Sequence, residues 1–451
     1  MACAEAKVCK SDAFTQSMST QSHIDYGNRP SSIQPPSKPS GLRYRHLLYS
    51  LPLLALLAAG IFLMGRLSVK LLPNSKPVIH VYPGDVGTFP LKDGPWGNLE
   101  YLPISIAAPT ELLNVKKTEE TPVRWLFKGY TRDRLAQLLK DLNLSYHQQN
   151  QLLEPAQLEI SVDGVAISPS QEAVFNLSQN AIKGIYKILA LATENNSLRE
   201  AVPASILEYM TEANGVSKAT ASLFKQVCWR YGDNLVCYCL PQVLASLPTY
   251  DQKNHLMKAI SRQQTMLLKL WVNPDADINA LENYWGKACW STDVRALLES
   301  LAKTPGGGQL DVIELLPPLA TQLLYTYPVP QNPLNGPAVK QDCMWTSMNF
   351  FREPPNPRFN DPNYILEKLK TEYFQVTTDP RFGDVVMFST PDQKFIHSAV
   401  YLADDIVYTK NGDNLRNPWM LSTIKDLLDI YSINVAEGQK LTLYYFRNKY
   451  Y

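Results

Sequence analysis

The most pronounced pattern in the chain is an uncharged apolar stretch over residues 47–64. It reads LLYSLPLLALLAAGIFLM and is preceded by 46 residues. A helix needs about 20 apolar residues to cross a bilayer, and a proline near one end is tolerated there. A cleaved signal peptide, by contrast, begins close to the amino terminus. The pattern therefore predicts a transmembrane signal anchor over residues 47–64, with a buried core helix as the alternative.

The segment before this stretch is polar. Residues 1–46 are rich in serine, proline, glutamine and asparagine and lack hydrophobic periodicity. Such a composition is typical of disordered chain, so we predict a disordered cytoplasmic tail. Arg43 and Arg45 precede the apolar stretch, and Arg66 and Lys70 follow it. Because the two sides carry similar positive charge, the positive-inside rule leaves the orientation open.

Residues 71–326 combine helical and strand patterns. A helix is predicted over residues 131–142, capped by Thr131, because one face carries Leu135, Leu138, Leu139 and Leu142. Residues 158–166 read as a strand, a turn and the start of another strand. A further helix is predicted to begin with Ser168 as its cap and Pro169 in its first position, followed by apolar residues at Val174, Leu177, Ala181, Ile185 and Ile188.

Two more helices are predicted over residues 252–270 and 294–302, and no repeat occurs at a solenoid period. We therefore predict that residues 71–326 form one mixed, mainly helical domain of unknown role. Six prolines then lie between residues 317 and 337 and predict an extended connection. The last domain accordingly spans residues 327–451.

The last domain reads as a helix followed by an antiparallel sheet. Asp342 is a suitable N-cap for a helix that begins at Cys343 and carries an apolar stripe of Trp345, Met348 and Phe351. Asp361 and Pro362 open a second, short helix. Strands are predicted over residues 384–388, 397–403, 406–411 and 441–446. This pattern predicts an α+β fold in which a helix-borne cysteine packs on an antiparallel sheet.

Composition and charge exclude several classes of protein. The chain has 43 Lys+Arg against 42 Asp+Glu, and its net charge is +1. This charge provides no global positive field for phosphates, so no nucleic-acid partner is predicted. A hydrophobic content of 45% excludes disorder of the whole chain. The length of 451 residues leaves room for two or three domains.

Metal or cofactor chemistry has little support in the sequence. The six histidines and seven cysteines show no Cys-x-x-Cys or His-x-x-x-His spacing, so we predict no metal and no cofactor. Gly306, Gly307 and Gly308 read as a flexible turn, because no Gly-Lys-Ser/Thr follows them. Asp277 reads as a helix cap within an alternating acidic segment. Disulfides and ordinary buried thiols both remain open for Cys228, Cys237, Cys239 and Cys289.

Cys343 and His397 are the candidate catalytic pair. A cysteine in the first turn of a helix feels the positive end of the helix dipole, which favours the thiolate. His397 is the only histidine of the last domain and lies at the start of a predicted strand. A Cys/His nucleophile and base are brought together in space rather than in sequence. The alternatives are a small buried thiol and a structural strand histidine.

Three motifs in the last domain resemble those of the NlpC-type cell-wall cysteine peptidases. They are the Asp-Cys at Cys343, the Gly-Asp-hydrophobic strand from Gly383, and the segment HSAVYL from His397. The resemblance covers about the last quarter of the chain and implies a papain-like domain over residues 327–451. Two positions depart from the family pattern. Met344 and Trp345 replace a Ser-Gly pair after the cysteine, and Ala399 replaces a glycine after the histidine.

The third catalytic residue depends on strand register. The family often places a polar residue on the strand after the histidine strand. A three-residue loop at 403–405 would set Asn411 opposite His397, with Thr409 on the same face. A two-residue turn at 404–405 would present Lys410 instead, because a one-residue slip exchanges the faces of a strand. We select Asn411, which would accept the ring N–H and fix the tautomer of His397.

The predicted function follows from these residues and the resemblance. We expect a membrane-anchored, extracytoplasmic cysteine peptidase or amidase in which Cys343 is the nucleophile and His397 the base. The resemblance implies amide bonds of peptidoglycan stem peptides as the substrate. The alternatives are a catalytically inactive binding or scaffold module and a thiol acyltransferase acting on lipids. The protein partner of residues 71–326 stays unknown.

Overall fold

The computed structural model describes residues 87–287, 291–329, 339–435 and 438–450. The predicted tail and anchor, Cys289 and residues 330–337 of the proline-rich connection lie outside these residues. The first part of that connection is not extended throughout, because Pro318–Leu323 form a short helix. No helix in the described part of the chain has the length and apolar character needed to cross a bilayer. The described residues form a mixed α and β structure with antiparallel sheets, which confirms the predicted α+β class at this level.

The α-helices of the described residues, in chain order, are α1 (Val115–Glu119), α2 (Arg132–Asp141), α3 (Tyr146–Leu152), α4 (Gln171–Phe175), α5 (Gln179–Ala190), α6 (Lys218–Val227), α7 (Leu240–Ser246), α8 (Tyr250–Ile260), α9 (Ile278–Trp285), α10 (Ser291–Ala302), α11 (Pro318–Leu323), α12 (Cys343–Asn349), α13 (Pro362–Glu372) and α14 (Ile424–Tyr431). The strands are β1 (Phe89–Pro90), β2 (Asn98–Ile106), β3 (Trp125–Lys128), β4 (Leu158–Ser161), β5 (Gly164–Ile167), β6 (Glu200–Pro203), β7 (Trp229–Tyr231), β8 (Asn234–Cys237), β9 (Gln263–Val272), β10 (Gly308–Asp311), β11 (Tyr373–Val376), β12 (Val385–Ser389), β13 (Phe395–Ala403), β14 (Ile406–Lys410), β15 (Trp419–Thr423) and β16 (Thr442–Asn448).

A six-stranded antiparallel sheet, in the order β11-β16-β12-β13-β14-β15, carries the candidate catalytic histidine. Because side chains alternate along a strand, its two faces bury different residues. Helix α12 packs on one face through Trp345 and Met348, together with strand residues such as Val400 and Leu402. Helix α14 covers the other face through Leu427, together with Val386, Phe388, Ala399, Tyr401 and Val407.

A four-stranded sheet, in the order β1-β2-β9-β10, shares its hydrophobic core with the first face of the six-stranded sheet. The Thr265 hydroxyl of β9 donates to the Leu421 carbonyl of β15 at 2.8 Å, and the Leu421 amide donates back at 3.2 Å. The Tyr284 hydroxyl of α9 donates to the Leu402 carbonyl at 2.7 Å. One core therefore runs across the predicted domain boundary near residue 327, although that boundary itself stays a prediction.

A second core lies within residues 108–260 and contains most of the helices. It combines α1 to α8 with two three-stranded sheets, in the orders β3-β5-β4 and β6-β8-β7. From the later part of the described chain, the buried residues Tyr327 and Ile433 belong to this core, and the partly buried Leu415 packs against it. Helices thus predominate within residues 108–260, while the sheet of β2 and β9 belongs to the other core, and the predicted domain over residues 71–326 stays a prediction.

The helix predicted over residues 252–270 is wrong in its second half. Helix α8 ends at Ile260, and β9 begins at Gln263. In β9 every second side chain is buried, at Met266, Leu268, Leu270 and Val272. Strands β2 and β10 pair with it on both sides. Alternating burial and strand partners on both edges therefore make this segment a strand, although the helical pattern of α8 continues into its sequence.

The helix predicted to begin at Ser168 starts later and is divided. Ser170 caps α4 by accepting from the Ala173 amide, and Ser178 caps α5 by accepting from the Ala181 amide. The Ser168 amide instead donates to the Gln157 carbonyl at 2.9 Å, which holds that residue beside the β4–β5 hairpin. Several other predicted elements are confirmed: the cap at Thr131, the hairpin of β4 and β5, the cap at Asp277 and the helix start at Asp361.

Candidate active site

Cys343 is the first residue of α12, as the sequence predicts. An Asp342 carboxylate oxygen caps the helix by accepting from the Trp345 amide at 2.9 Å. The Ser347 hydroxyl donates to the Cys343 carbonyl at 2.9 Å. The cysteine is 9% exposed. Capping and burial together fix the position of the thiol at the amino end of α12.

The surroundings of the thiol oppose its ionisation. Burial, followed by the nearby Asp342 charge, raises the pKa of Cys343 to about 11, although the backbone and side chain of Ser398 act in the opposite direction. Burial therefore acts against the stabilisation of the thiolate that is expected from the helix dipole. Desolvation disfavours the charged form of a thiol wherever water is excluded.

His397 lies on β13 and is completely buried. Its Nε2 atom is 3.0 Å from the Thr409 hydroxyl, and its Nδ1 atom is buried without a hydrogen-bond partner. The Tyr431 ring stacks on the imidazole, with 4.2 Å between the ring centroids and 18° between the planes. Burial lowers the pKa of His397 to about 3. The ring is therefore neutral at pH 7, and an apolar stack covers it.

The register of β13 and β14 contains a feature that the sequence reasoning missed. The turn at Asp404 and Asp405 has two residues, but the pairing shifts by one residue between Tyr401 and Ala403. This bulge restores the register that a three-residue loop would have given, with Val400 opposite Tyr408. Thr409 thus lies on the His397 face of the sheet, one strand away.

Of the three candidates for the third residue, Thr409 forms the observed contact. The Asn411 side-chain oxygen is buried without a hydrogen-bond partner, and its carbonyl accepts from the Asn417 side chain. Lys410 is completely buried and donates to the carbonyls of Gly412 at 2.7 Å and Asn414 at 3.2 Å. Burial lowers the pKa of Lys410 to about 8. The selection of Asn411 therefore stays a prediction that no observed contact supports.

Cys343 and His397 approach the sheet from different sides. Helix α12 packs on the face of Val400 and Leu402, whereas His397 shares the α14 face with Phe388, 5.3 Å away between ring centroids. The thiol is close enough to Ser398, the neighbour of His397, for that residue to lower its pKa. Among the described residues, no hydrogen bond joins the thiol and the imidazole. The structure thus brings His397 and Thr409 together and places Cys343 beside Ser398.

Tyr431 is a site residue that the sequence reasoning missed. It ends α14, and the segment that follows is fastened to the mainly helical region. The Arg199 side chain donates to the Asn434 side chain at 2.7 Å, and the Tyr231 hydroxyl lies 3.5 Å from the Ser432 carbonyl. The sequence contains a signal for this helix, because the apolar residues Ile424, Leu427, Leu428 and Tyr431 have the spacing of an amphipathic helix.

The Gly-Asp motif has a structural role. Asp384 is almost fully buried and accepts two hydrogen bonds from the Arg447 guanidinium, at 2.8 and 2.7 Å. This bidentate pair ties the start of β12 to β16. Gly383 has a φ of 88°, and a Cβ atom there would collide with the Phe351 ring. Glycine is therefore required at this turn by both conformation and space.

Comparisons with protein-family models, curated proteins and solved structures find no match for this chain. The NlpC-type resemblance therefore depends on the three sequence motifs alone. Across the described ranges, no group of three or more histidine, cysteine, aspartate or glutamate side chains is arranged to hold a metal ion.

Proposed function

We propose that the protein is a membrane-anchored cysteine peptidase or amidase with a papain-like, NlpC-type domain over residues 327–451. The observation that carries the proposal is the placement of Cys343 at the capped start of α12, beside the strand that bears His397. The hydrogen bond between His397 and Thr409 supports it further, because a base needs a fixed ring orientation.

The chemistry proceeds through a thioester. With its Nε2 proton donated to Thr409, His397 has a free lone pair on Nδ1, which accepts the thiol proton of Cys343 as sulfur attacks the amide carbon. The tetrahedral intermediate collapses, its C–N bond breaks, and the imidazolium returns that proton to the leaving amine. Water then attacks the thioester and gives up a proton to His397. The C–S bond breaks, the carboxylic acid departs, and His397 returns its proton to the sulfur of Cys343.

The structure corresponds to a closed, resting site in this proposal. Cys343 and His397 are both neutral and buried, and Tyr431 stacks on the base. Catalysis requires Tyr431 to move, so that the thiol, the imidazole and a substrate carbonyl can meet. Burial, and then the nearby Cys343 charge, raise the pKa of Tyr431, so this side chain lies near the thiol as well as over the imidazole. Because Tyr431 ends α14, a shift of this one helix would uncover both groups.

The substrate and location are proposed from the resemblance. Peptidoglycan stem peptides contain the amide bonds on which NlpC-type peptidases act, and these lie outside the cytoplasmic membrane. The predicted anchor over residues 47–64 would then hold the larger part of the chain on the outer side of that membrane.

A second candidate is a catalytically inactive binding or scaffold module. It is favoured by the lack of a hydrogen bond between Cys343 and His397 and by the high pKa of the thiol. In such a module, Cys343 would be a buried packing residue and Tyr431 a fixed part of the core.

The test is hydrolysis of purified peptidoglycan fragments by the full-length chain in non-ionic detergent, with products identified by mass spectrometry. We expect cleavage that Cys343→Ala abolishes. Thr409→Val, which removes the hydroxyl but keeps the shape, should lower turnover about tenfold or more, and Thr409→Ser should restore it. A folded chain that cleaves no fragment would favour the inactive module. Equal cleavage by Cys343→Ala would exclude the thiol mechanism.

A further inference from the structure

A cavity of about 420 Å³ lies where the mainly helical region, β9 and α14 meet. Its volume is within the range of small-molecule binding sites. The wall from α14 includes Asp426, Asp429 and Ile430, so the cavity ends one residue before Tyr431. It belongs to a different part of the molecule from Cys343, which is not among its lining residues.

The rim of this cavity is acidic. Four carboxylates line it, those of Glu208, Asp233, Asp426 and Asp429, against the single cation Arg230. Arg230 lies 3.9 Å from Asp233, and Lys425, outside the lining, pairs with Asp429 at 2.7 Å. Within the described chain, Glu208 and Asp426 have no ion-pair partner. The rim therefore keeps uncompensated negative charge and attracts cations.

Two enclosed polar residues form the floor of the cavity. Asn234, on β8, is only 6% exposed and lines the cavity. Its side chain forms no hydrogen bond with any described residue, so its amide is available to a ligand in the cavity. Ser422, 4% exposed, also lines the cavity, and its hydroxyl makes only a long contact of 3.4 Å with the Thr423 carbonyl. An amide that is open only towards a cavity favours a polar ligand there.

The positions of the carboxylates and of the Asn234 amide determine which kind of cation can bind in the cavity. The carboxylates come from three separate segments, with two of them on α14, and within the described ranges they do not form a group that could hold a metal ion. An extended cation with several N–H donors can instead reach the floor and the rim together. An ammonium group donates three hydrogen bonds and pairs with both amide and carboxylate oxygens.

We propose that this cavity is a binding site for an aliphatic diammonium ligand, with one ammonium on Asn234 at the floor and the other among the rim carboxylates. The same chemistry is offered by a free diamine or polyamine and by a peptide with an amino-terminal lysine. Met420 and Ile430 provide apolar contact for the methylene chain between the two charges.

The proposal is tested by isothermal titration of the full-length chain in non-ionic detergent at low salt. The probes are 1,4-diaminobutane, spermidine and the dipeptide Lys-Gly, with n-butylamine as the one-headed control. We expect saturable 1:1 binding of at least one two-headed probe, at least tenfold tighter than n-butylamine. Tighter binding of the dipeptide would identify a peptide as the source of the ligand, and tighter binding of spermidine a free polyamine.

Two variants and one matched control separate binding from folding. The double change Glu208→Gln with Asp426→Asn involves exposed, unpaired carboxylates and should weaken binding about tenfold or more while leaving the melting temperature unchanged. Asn234→Ala should weaken it without a change of charge. Asp392→Asn, an exposed carboxylate elsewhere, should have no effect. No binding of any two-headed probe, equal binding by the double variant, or tighter binding of Mg²⁺ alone would overturn the proposal.

Discussion

The two central side chains of the site, Cys343 and His397, are neutral at pH 7 for the same physical reason. Burial opposes the charged form of both, and it raises the pKa of the thiol to about 11 and lowers that of the imidazole to about 3. The sequence correctly indicated a cysteine at a helix start and a histidine on a strand. It did not indicate the burial, because Tyr431 comes from a helix 34 positions after His397 in the chain.

Acid should destabilise the protein through His397. Its pKa falls from 6.5 to about 3 on folding, so the unfolded chain binds a proton in this pH window that the folded chain excludes. The contribution to the free energy of unfolding is complete above pH 6.5 and is lost as the pH falls towards 3. At about 1.36 kcal/mol per pKa unit, the loss approaches roughly 5 kcal/mol. His397→Phe keeps an aromatic ring in the stack, and its denaturation midpoint should change less between pH 7 and pH 4 than that of the unmodified chain. Equal changes would contradict the assignment.

Tyr431 stacks on His397 and lies near Cys343, whose charge acts on its pKa after burial, so this side chain should limit access to the thiol. Removal of the ring in Tyr431→Ala uncovers the imidazole and hydrates its surroundings, so alkylation of Cys343 by iodoacetamide at pH 8 should be about tenfold faster or more. The rate is read by mass spectrometry on the peptide that contains Cys343. Tyr450→Ala, a change at a tyrosine that is 72% exposed, is the matched control. An unchanged rate would show that Tyr431 does not limit access.

At the scale of elements, single-residue signals located most of the predicted helix caps, although the cap predicted at Ser168 lies at Ser170 instead. The caps at Thr131, Asp277, Asp342 and Asp361 are all present, because a side-chain oxygen that satisfies an amide of the first turn acts within three residues. The predictions were wrong where pairing with distant segments of the chain determines the local structure. Strand β9 is set by β2 and β10, and the register at the site by a bulge after Tyr401. Neither depends on local propensity.

Asp342 combines two effects that substitution can separate. Asp342→Ala removes the cap of α12 and should lower the free energy of unfolding by about 1 kcal/mol. Asp342→Asn keeps a capping oxygen and removes the charge that raises the pKa of the Cys343 thiol. We therefore expect near-unchanged stability and a lower thiol pKa for Asp342→Asn, measured by denaturation and by the pH dependence of alkylation. A loss of stability equal to that of Asp342→Ala would argue against the capping role.

At the scale of the whole molecule, one core joins segments that are far apart in the sequence. The sheet of β2 and β9 and the helices α9 and α10 bury their apolar side chains against the six-stranded sheet. The proline-rich connection marks a change in local composition, and local composition carries no information about which surfaces are buried together. The sequence patterns therefore indicated α12, α13 and four strands of the last domain. They did not indicate β11, β15 and α14, nor the layer that covers the sheet.

Residues 327–451 expressed alone should not form a stable domain. They would lose the hydrogen bonds from Thr265 and Tyr284 and expose the apolar face that includes Leu402 and Leu421. We expect binding of a hydrophobic dye and no cooperative thermal transition, whereas residues 87–451 should unfold cooperatively. A sharp transition of the isolated segment would contradict the shared core.

The position of β16 within the six-stranded sheet has a consequence for biosynthesis. This strand pairs with both β11 and β12, yet it follows all the other strands of the sheet in the chain. While the ribosome is still translating the preceding residues, β11 has no partner and one edge of β12 is open. Such edges invite pairing with other nascent chains. We therefore expect this protein to depend most on chaperones that shield strand edges between the translation of β12 and the release of β16 from the ribosome.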